Sequence, residues 1–240
     1  MDYDTVIMGG GGAGLAAALE ASTRGARVLV LEAGESLGGS TALSGCSMPL
    51  ALPYNGKQGS TTAPMRCSVT TSSSTAGSCR RASSAALPRK ARRRSSGCFP
   101  LGVRFPPENL YAASLDGVRR GHRARGLGRE IIDVLEGSLD RSRVDVSTRS
   151  RATRLELDSR GHVCGVQIDD EVVACRSVVI ASGGFGANRE MVARLFPAVG
   201  NYGDWVWYVG CQNNRGDGIR MGTEIGGQID VDLAAGIRIP

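Results

Sequence analysis

Thr5-Val6-Ile7-Met8-Gly9-Gly10-Gly11-Gly12-Ala13-Gly14-Leu15-Ala16-Ala17-Ala18 joins an apolar run to an alanine-rich one through a cluster of glycines, and this junction decides the fold. The run ending at Met8 has the β-branched composition of a buried strand. The run from Leu15 to Ser22 is built of helix formers. Between them the spacing is Gly9-x-Gly11-x-x-Gly14, with Gly12 and Ala13 inside the turn. The first glycine permits a tight turn, the second lets the backbone approach a pyrophosphate, and the third lets helix and strand pack closely. A helix starting there points unpaired N–H groups and the positive end of its dipole at an anion. Arg27–Leu31 reads as a second strand and ends at Glu32, 18 residues beyond Gly14. A carboxylate at that point can accept from both hydroxyls of an adenosine ribose and repels a 2′-phosphate, which disfavours NADP. With strand, turn, helix, second strand and acid in register, the stretch reads as a dinucleotide site rather than a glycine-rich turn with a surface acid.

Features farther along favour FAD over NAD. Glu32 and Ala33 are followed by Gly38-Gly39-Ser40-Thr41-Ala42-Leu43-Ser44-Gly45, a loop whose small hydroxyl-bearing residues can wrap a pyrophosphate. Val178–Ala181 runs into Ser182-Gly183-Gly184 as a second strand-to-glycine crossing, and Gly216-Asp217-Gly218 opens a helix with an acid at its start. Apolar spacing predicts a helix over 130–139 and a short one over 189–195. Residues 151–157, 163–168 and 171–174 read as a small meander, and 177–181 as a separate buried strand.

Composition bounds the alternatives. With 41% apolar residues and 34 glycines, the chain suits an α/β protein with several close backbone approaches. No apolar run approaches the ~20 residues of a membrane span, and the chain opens directly on a strand, so a cytoplasmic location is expected. The seven cysteines form no C-x-x-C pair, which leaves free thiols as the expectation and no metal site. The net charge of +6 is local. Residues 57–98 carry nine Lys/Arg and no acid, and the rest of the chain holds 20 basic against 23 acidic residues. That tract has no aromatic residue on which a base could stack, so nucleic acid is not expected as a partner.

Five blocks in order, VIMGGGGAGLAAALEA, VLVLEAGESLGGSTALSG, RRGHRARGLGREIIDVLE, VVIASGGFGANREM and RGDGIRMGTEIGG, resemble the flavoproteins grouped with fumarate reductase, succinate dehydrogenase flavoprotein and 3-ketosteroid Δ1-dehydrogenase. The resemblance covers residues 1 to about 50 and about 101 to 230. It implies a Rossmann-like FAD domain of three-layer ββα character and flavin-dependent hydride transfer at a C–C bond of a small-molecule substrate. Gly9, Gly11 and Gly14 would hold the pyrophosphate and Glu32 the ribose. Gly39, Ser40, Thr41, Ser44 and Gly45 would line the phosphate and flavin side. Ala152 would contact adenine through its backbone, Ala181, Ser182 and Gly183 would pass beneath the cofactor, and Asp217 would face its flavin end. No His or Tyr occupies the 38–45 loop, so non-covalent FAD is expected. The family usually has glycine at Cys46.

The domain reading is therefore 1–56 as the first part of the FAD domain, 57–100 as an aberrant, disordered Ser/Arg-rich segment, and 101–240 as the second part. A shifted reading frame over 57–98 can yield amphipathic helical segments, and this is preferred to a functional basic tract. The resemblance also implies a cap domain and a closing segment beyond Pro240, so the chain alone is expected to be an incomplete catalyst. The alternative is a non-catalytic nucleotide-binding remnant or a non-functional product. No catalytic residue is singled out: His122 sits in a block tied to fold, His162 lies in a turn, and Trp205, Trp207 and Tyr208 read as an apolar patch.

Overall fold

The computed structural model describes residues 2–45, 47–49, 101–111, 121–205 and 207–229. The 57–98 tract and Cys46 lie outside them, as do the expectations of disorder and of a shifted frame. The chain divides into two units, one of 1–44 with 128–240 and one of 45–127.

The first unit is built on strand β1 (Tyr3–Met8), helix α1 (Gly12–Thr23) and strand β2 (Val28–Leu31). Val6, Ile7, Met8 and all four residues of β2 are buried, so β2 and the second half of β1 have no solvent face. Parallel strands covered on both faces read as continuous apolar runs for this reason. After β2 come helix α2 (Gly39–Leu43), helix α3 (Leu127–Gly137) and strand β6 (Val144–Ser147). Strands β7 (Ala152–Leu157), β8 (Val163–Ile168) and β9 (Glu171–Ile180) follow, then helices α4 (Arg189–Leu195), α5 (Pro197–Gly200) and α6 (Asp217–Glu224).

The six strands of this unit lie in the order β6-β2-β1-β9-β8-β7. β6, β2, β1 and the second half of β9 are parallel; β9, β8 and β7 are antiparallel neighbours. β1 is the switch point, with β2 on one side and β9 on the other, and ligands of open α/β sheets bind at the carboxyl ends of such strands. Val6 and Met8 pack with Leu29, Leu31, Ala152, Leu155, Val166, Cys175 and Met221, so the meander and α6 close over one face of the sheet. Ile7 faces the opposite way, toward Gly14 of α1. The helix, sheet and meander layers agree with the expected ββα character.

Three local readings are corrected. Residues 171–174 and 177–181 form one ten-residue strand, β9, which changes partners midway: Glu171–Ala174 pairs with β8 and Cys175–Ile180 with β1. No turn-forming residue separates the halves, so nothing breaks the extended backbone. Gly39–Leu43, read as loop, is helical. β6, unassigned from sequence, adds a parallel edge beside β2.

In the second unit, strands β3 (Ser47–Pro49), β4 (Leu110–Tyr111) and β5 (Gly121–Arg123) form a small antiparallel sheet ordered β3-β5-β4. His122 is buried there, and the Arg123 guanidinium stacks over the Tyr111 ring at 4.2 Å.

The approach of α1 to β1 rests on glycine. Gly9 has φ +113°, and a Cβ at Gly14 would overlap the Gly9 carbonyl oxygen, which is backbone and cannot turn away. Gly14→Ala is expected to push α1 off the sheet and lower stability by ~1–3 kcal/mol, the usual cost of overpacking. Urea unfolding measures this, and an unchanged midpoint would contradict the packing described.

Candidate functional site

A cleft opens at the carboxyl ends of β1, β2 and β9. It is a shallow cavity of about 170 Å³ that opens to solvent. Its floor is Met8, Gly9, Gly11, Gly12 and Ala13 from the first crossing and Ala181, Ser182 and Gly183 from the second. Leu31 at the end of β2, Glu32 and Ala33 just beyond it, and Gly39, Ser40 and Thr41 from α2 form walls, with Ser150, Arg151 and Ala152 at the entrance to β7. Cys211, Asn213, Asn214, Asp217 and Met221 complete it.

Most residues singled out from sequence thus come together. Gly14 stands behind the turn, packed on the Gly9 carbonyl, and supports the cleft without lining it. Ser44 caps α2, its hydroxyl donating to the Thr41 carbonyl at 2.8 Å, and does not line the cleft. Gly45 belongs to the second unit. The sequence reading missed Met8, Leu31, Ser150, Arg151, Cys211, Asn213, Asn214 and Met221.

Glu32 is buried and ties β2 to the glycine turn. Its Oε2 accepts from the Gly10 N–H at 2.8 Å and its Oε1 from the Gly34 N–H at 2.7 Å. Each oxygen keeps a further acceptor position, so the fixed carboxylate still has capacity for hydroxyl donors. Nearby, α1 begins at Gly12, and Gly11 before it supplies no side-chain cap. The Ala13 and Gly14 N–H groups meet no protein acceptor among the described residues. Thr41 Oγ1 accepts from the Gly12 N–H at 3.3 Å, which leaves the hydroxyl's own hydrogen to donate. This donor set at the N-terminus of a twelve-residue helix suits a diphosphate.

Asp217 is not a free acceptor. Arg151 forms an ion pair with it through Nη1 and donates from Nη2 to Asn213 Oδ1 at 2.8 Å. Both side chains are partly buried, so the pair joins the start of β7 to the start of α6 and leaves the cleft wall neutral there. At α6, the Gly218 N–H donates to Ser182 Oγ at 3.2 Å. Among the described residues no group of His, Cys, Asp or Glu has metal-binding geometry, and no helix is long and apolar enough to cross a membrane.

The family model described as FAD binding domain matches residues 4–236. Among curated proteins, the fumarate reductase (cytochrome) of Shewanella frigidimarina is 25% identical over 206 residues, covering 82% of this chain and 36% of that protein. The vinyl phenol reductase of Lactiplantibacillus plantarum is 27% identical over 242 residues, covering 94% and 46%. The chain thus spans less than half the length of either relative. Among solved structures, the 3-ketosteroid-delta4-(5alpha)-dehydrogenase of Rhodococcus jostii RHA1 superposes with a TM-score of 0.73 at 24% identity, over 94% of this chain and 54% of that one, a likeness of fold.

Removing the Glu32 carboxylate strands the Gly10 and Gly34 N–H groups. Glu32→Ala is expected to cost ~1–3 kcal/mol, the price of leaving partly or fully buried donors unsatisfied. Denaturant unfolding reads it, and a loss below about 0.5 kcal/mol would show that these bonds add little.

Proposed function

We propose, from the premise that this chain belongs to the FAD binding domain family, that it holds non-covalent FAD in the cleft as the cofactor part of a flavin-dependent oxidoreductase. The observation that carries this reading is the buried Glu32 carboxylate, fixed beside an uncapped helix start at the switch point of a parallel sheet. FAD, when bound, supplies hydride transfer at flavin N5.

The chain's own residues hold and orient. The α1 N-terminus with Gly11, Gly12 and Ala13 would take the diphosphate, and Glu32 the ribose hydroxyls. Gly39, Ser40 and Thr41 would flank the phosphates, and Ala152 would border the adenine. Ala181, Ser182 and Gly183 would run beneath the cofactor without side-chain obstruction. Non-covalent attachment is supported by the 38–45 loop, which offers neither His nor Tyr. The relatives' names specify fumarate and vinyl phenol, and the matched structure is a ketosteroid dehydrogenase. A C–C bond adjoining a carboxylate, an aryl ring or a ketone, taken between its saturated and unsaturated forms, is the class common to them.

Proton transfer is proposed to come from outside the described cleft residues. Glu32 is committed to two backbone N–H groups, and Arg151 and Asp217 neutralise each other. These three charged groups of the described cleft are thus taken up in binding and positioning.

The test is to titrate the purified chain with FAD and follow quenching of flavin fluorescence. Saturable binding is expected, displaced by ADP. Glu32→Gln is expected to weaken it about tenfold, the size of a hydrogen bond to a charged group. Absence of FAD binding, or displacement by NAD at lower concentration than by ADP, would favour a different nucleotide-binding role.

A thiol-labelling experiment gives an independent check. Cys211 lines the cleft, so FAD should slow its alkylation. Cys175 is an internal control: it is fully buried, and burial pushes its thiol above the ordinary value. Equal labelling of Cys211 with and without FAD would place the cofactor elsewhere.

A further inference from the structure

Asn214 sits in the loop that leads into α6, and its side chain meets three of the segments around the cleft. Its Nδ2 donates to Ser40 Oγ at 2.9 Å and to Tyr208 Oη at 2.7 Å. Its carboxamide also packs against Gly183, where a Cβ would collide with Asn214 Oδ1 at 2.6 Å. Its backbone is pinned as well. The Asn214 N–H donates to the Cys211 carbonyl at 3.0 Å, and its own carbonyl accepts from the Ala187 N–H at 3.0 Å. The residue is therefore a fixed point between α2, the second glycine crossing and the 208–211 strand of loop.

The consequence falls on Ser40. A serine hydroxyl has one hydrogen to donate and two positions at which to accept. Ser40 Oγ accepts from Asn214 Nδ2 and also from the Cys211 N–H at 2.9 Å. Both acceptor positions are filled by donors that cannot reverse, since an amide N–H has no lone pair to offer. Only the hydrogen remains, and it meets no protein acceptor among the described residues. Ser40 lines the cleft beside Gly11, Gly12 and Thr41.

We propose that Asn214 is a positioning residue that makes Ser40 an obligate hydrogen-bond donor into the cleft, tuned to an anionic phosphate oxygen of the nucleotide. This rests on the reading of the cleft as an FAD site and deepens it. Without the amide, Ser40 is free to rotate and to spend its hydrogen elsewhere. With the amide, the hydroxyl is oriented before the ligand arrives, so its ordering is not charged against binding. Tyr208 gains the same polarity: it accepts from Asn214, and its hydrogen is turned away from the amide.

The experiment is isothermal titration calorimetry of the full chain with ADP and with adenosine as probes, on Asn214→Ala, Ser40→Ala and the double variant. Asn214→Ala is expected to weaken ADP about tenfold, one oriented hydrogen bond to a charged oxygen, and to leave adenosine unchanged. Ser40→Ala should do the same. Adding Asn214→Ala to Ser40→Ala should cost little more, because the amide acts through the hydroxyl. Equal losses for ADP and adenosine would overturn the proposal, since a loosened fold weakens both probes alike. Multiplicative losses in the double variant would overturn it too, as would an Asn214→Ala protein that binds ADP as the parent does. If Asn214→Ala does not fold, Asn214→Leu carries the test. It keeps the volume of the side chain and removes the amide that holds Ser40, so a loss selective for ADP supports the proposal while no selective loss refutes it. A parent chain that binds no ADP overturns the FAD reading itself and this one with it, and is distinguished by the parent titration alone.

Discussion

Two backbone N–H groups held by one buried carboxylate organise the site. Glu32 directly follows β2, and its oxygens accept from Gly10 in the turn after β1 and Gly34 in the turn after β2. The carboxylate thereby fixes the spacing between two strand ends and keeps the glycine turn open at the same time. Burying a carboxylate is costly unless it is hydrogen-bonded, so these donors and the acid need one another. The remaining acceptor capacity of the same group is what a ribose would use. A structural requirement and the proposed binding function therefore fall on the same two oxygen atoms.

The rest of the first unit serves that arrangement. Parallel pairing of β1 with β2 and β9 places three carboxyl ends side by side, and glycine at Gly9 and Gly14 lets α1 start close to β1. Opposite, the ten-residue β9 belongs to both the parallel sheet and the meander, so the meander that carries Ala152 is joined to the strand that runs on into Ala181–Gly183. The Arg151–Asp217 pair then joins β7 to α6 across that wall.

How much of this could be read from the sequence depends on whether a feature is local. The strand–glycine–helix junction and Glu32 were legible because each depends on residues within a few positions, and the spacing itself encodes the geometry. The second crossing at Ser182-Gly183 was legible for the same reason. α2 was not: Gly-Ser-Thr composition reads as loop, and this turn of helix is held by distant partners such as the Gly12 N–H on Thr41 and the Arg129 guanidinium on the Leu37 carbonyl at 3.3 Å. β6 is four residues long and carries no alternation of its own beyond Val144 and Val146. Arg151, Asn213 and Asn214 reach the cleft through packing of segments some sixty or more residues apart, and nothing in their neighbourhoods marks them. Asp217 was legible as a helix start, but its engagement by Arg151 was not.

The central claim is that adenosine diphosphate rests with its phosphates against the first turn of α1 and its ribose on Glu32. A crystal structure of the chain with ADP tests it most directly. The account predicts phosphate oxygens about 2.7–3.2 Å from N–H groups of the 11–14 turn and both ribose hydroxyls at the same range from Glu32. Density for the nucleotide elsewhere, or a Glu32 carboxylate turned away from the ribose, would contradict it.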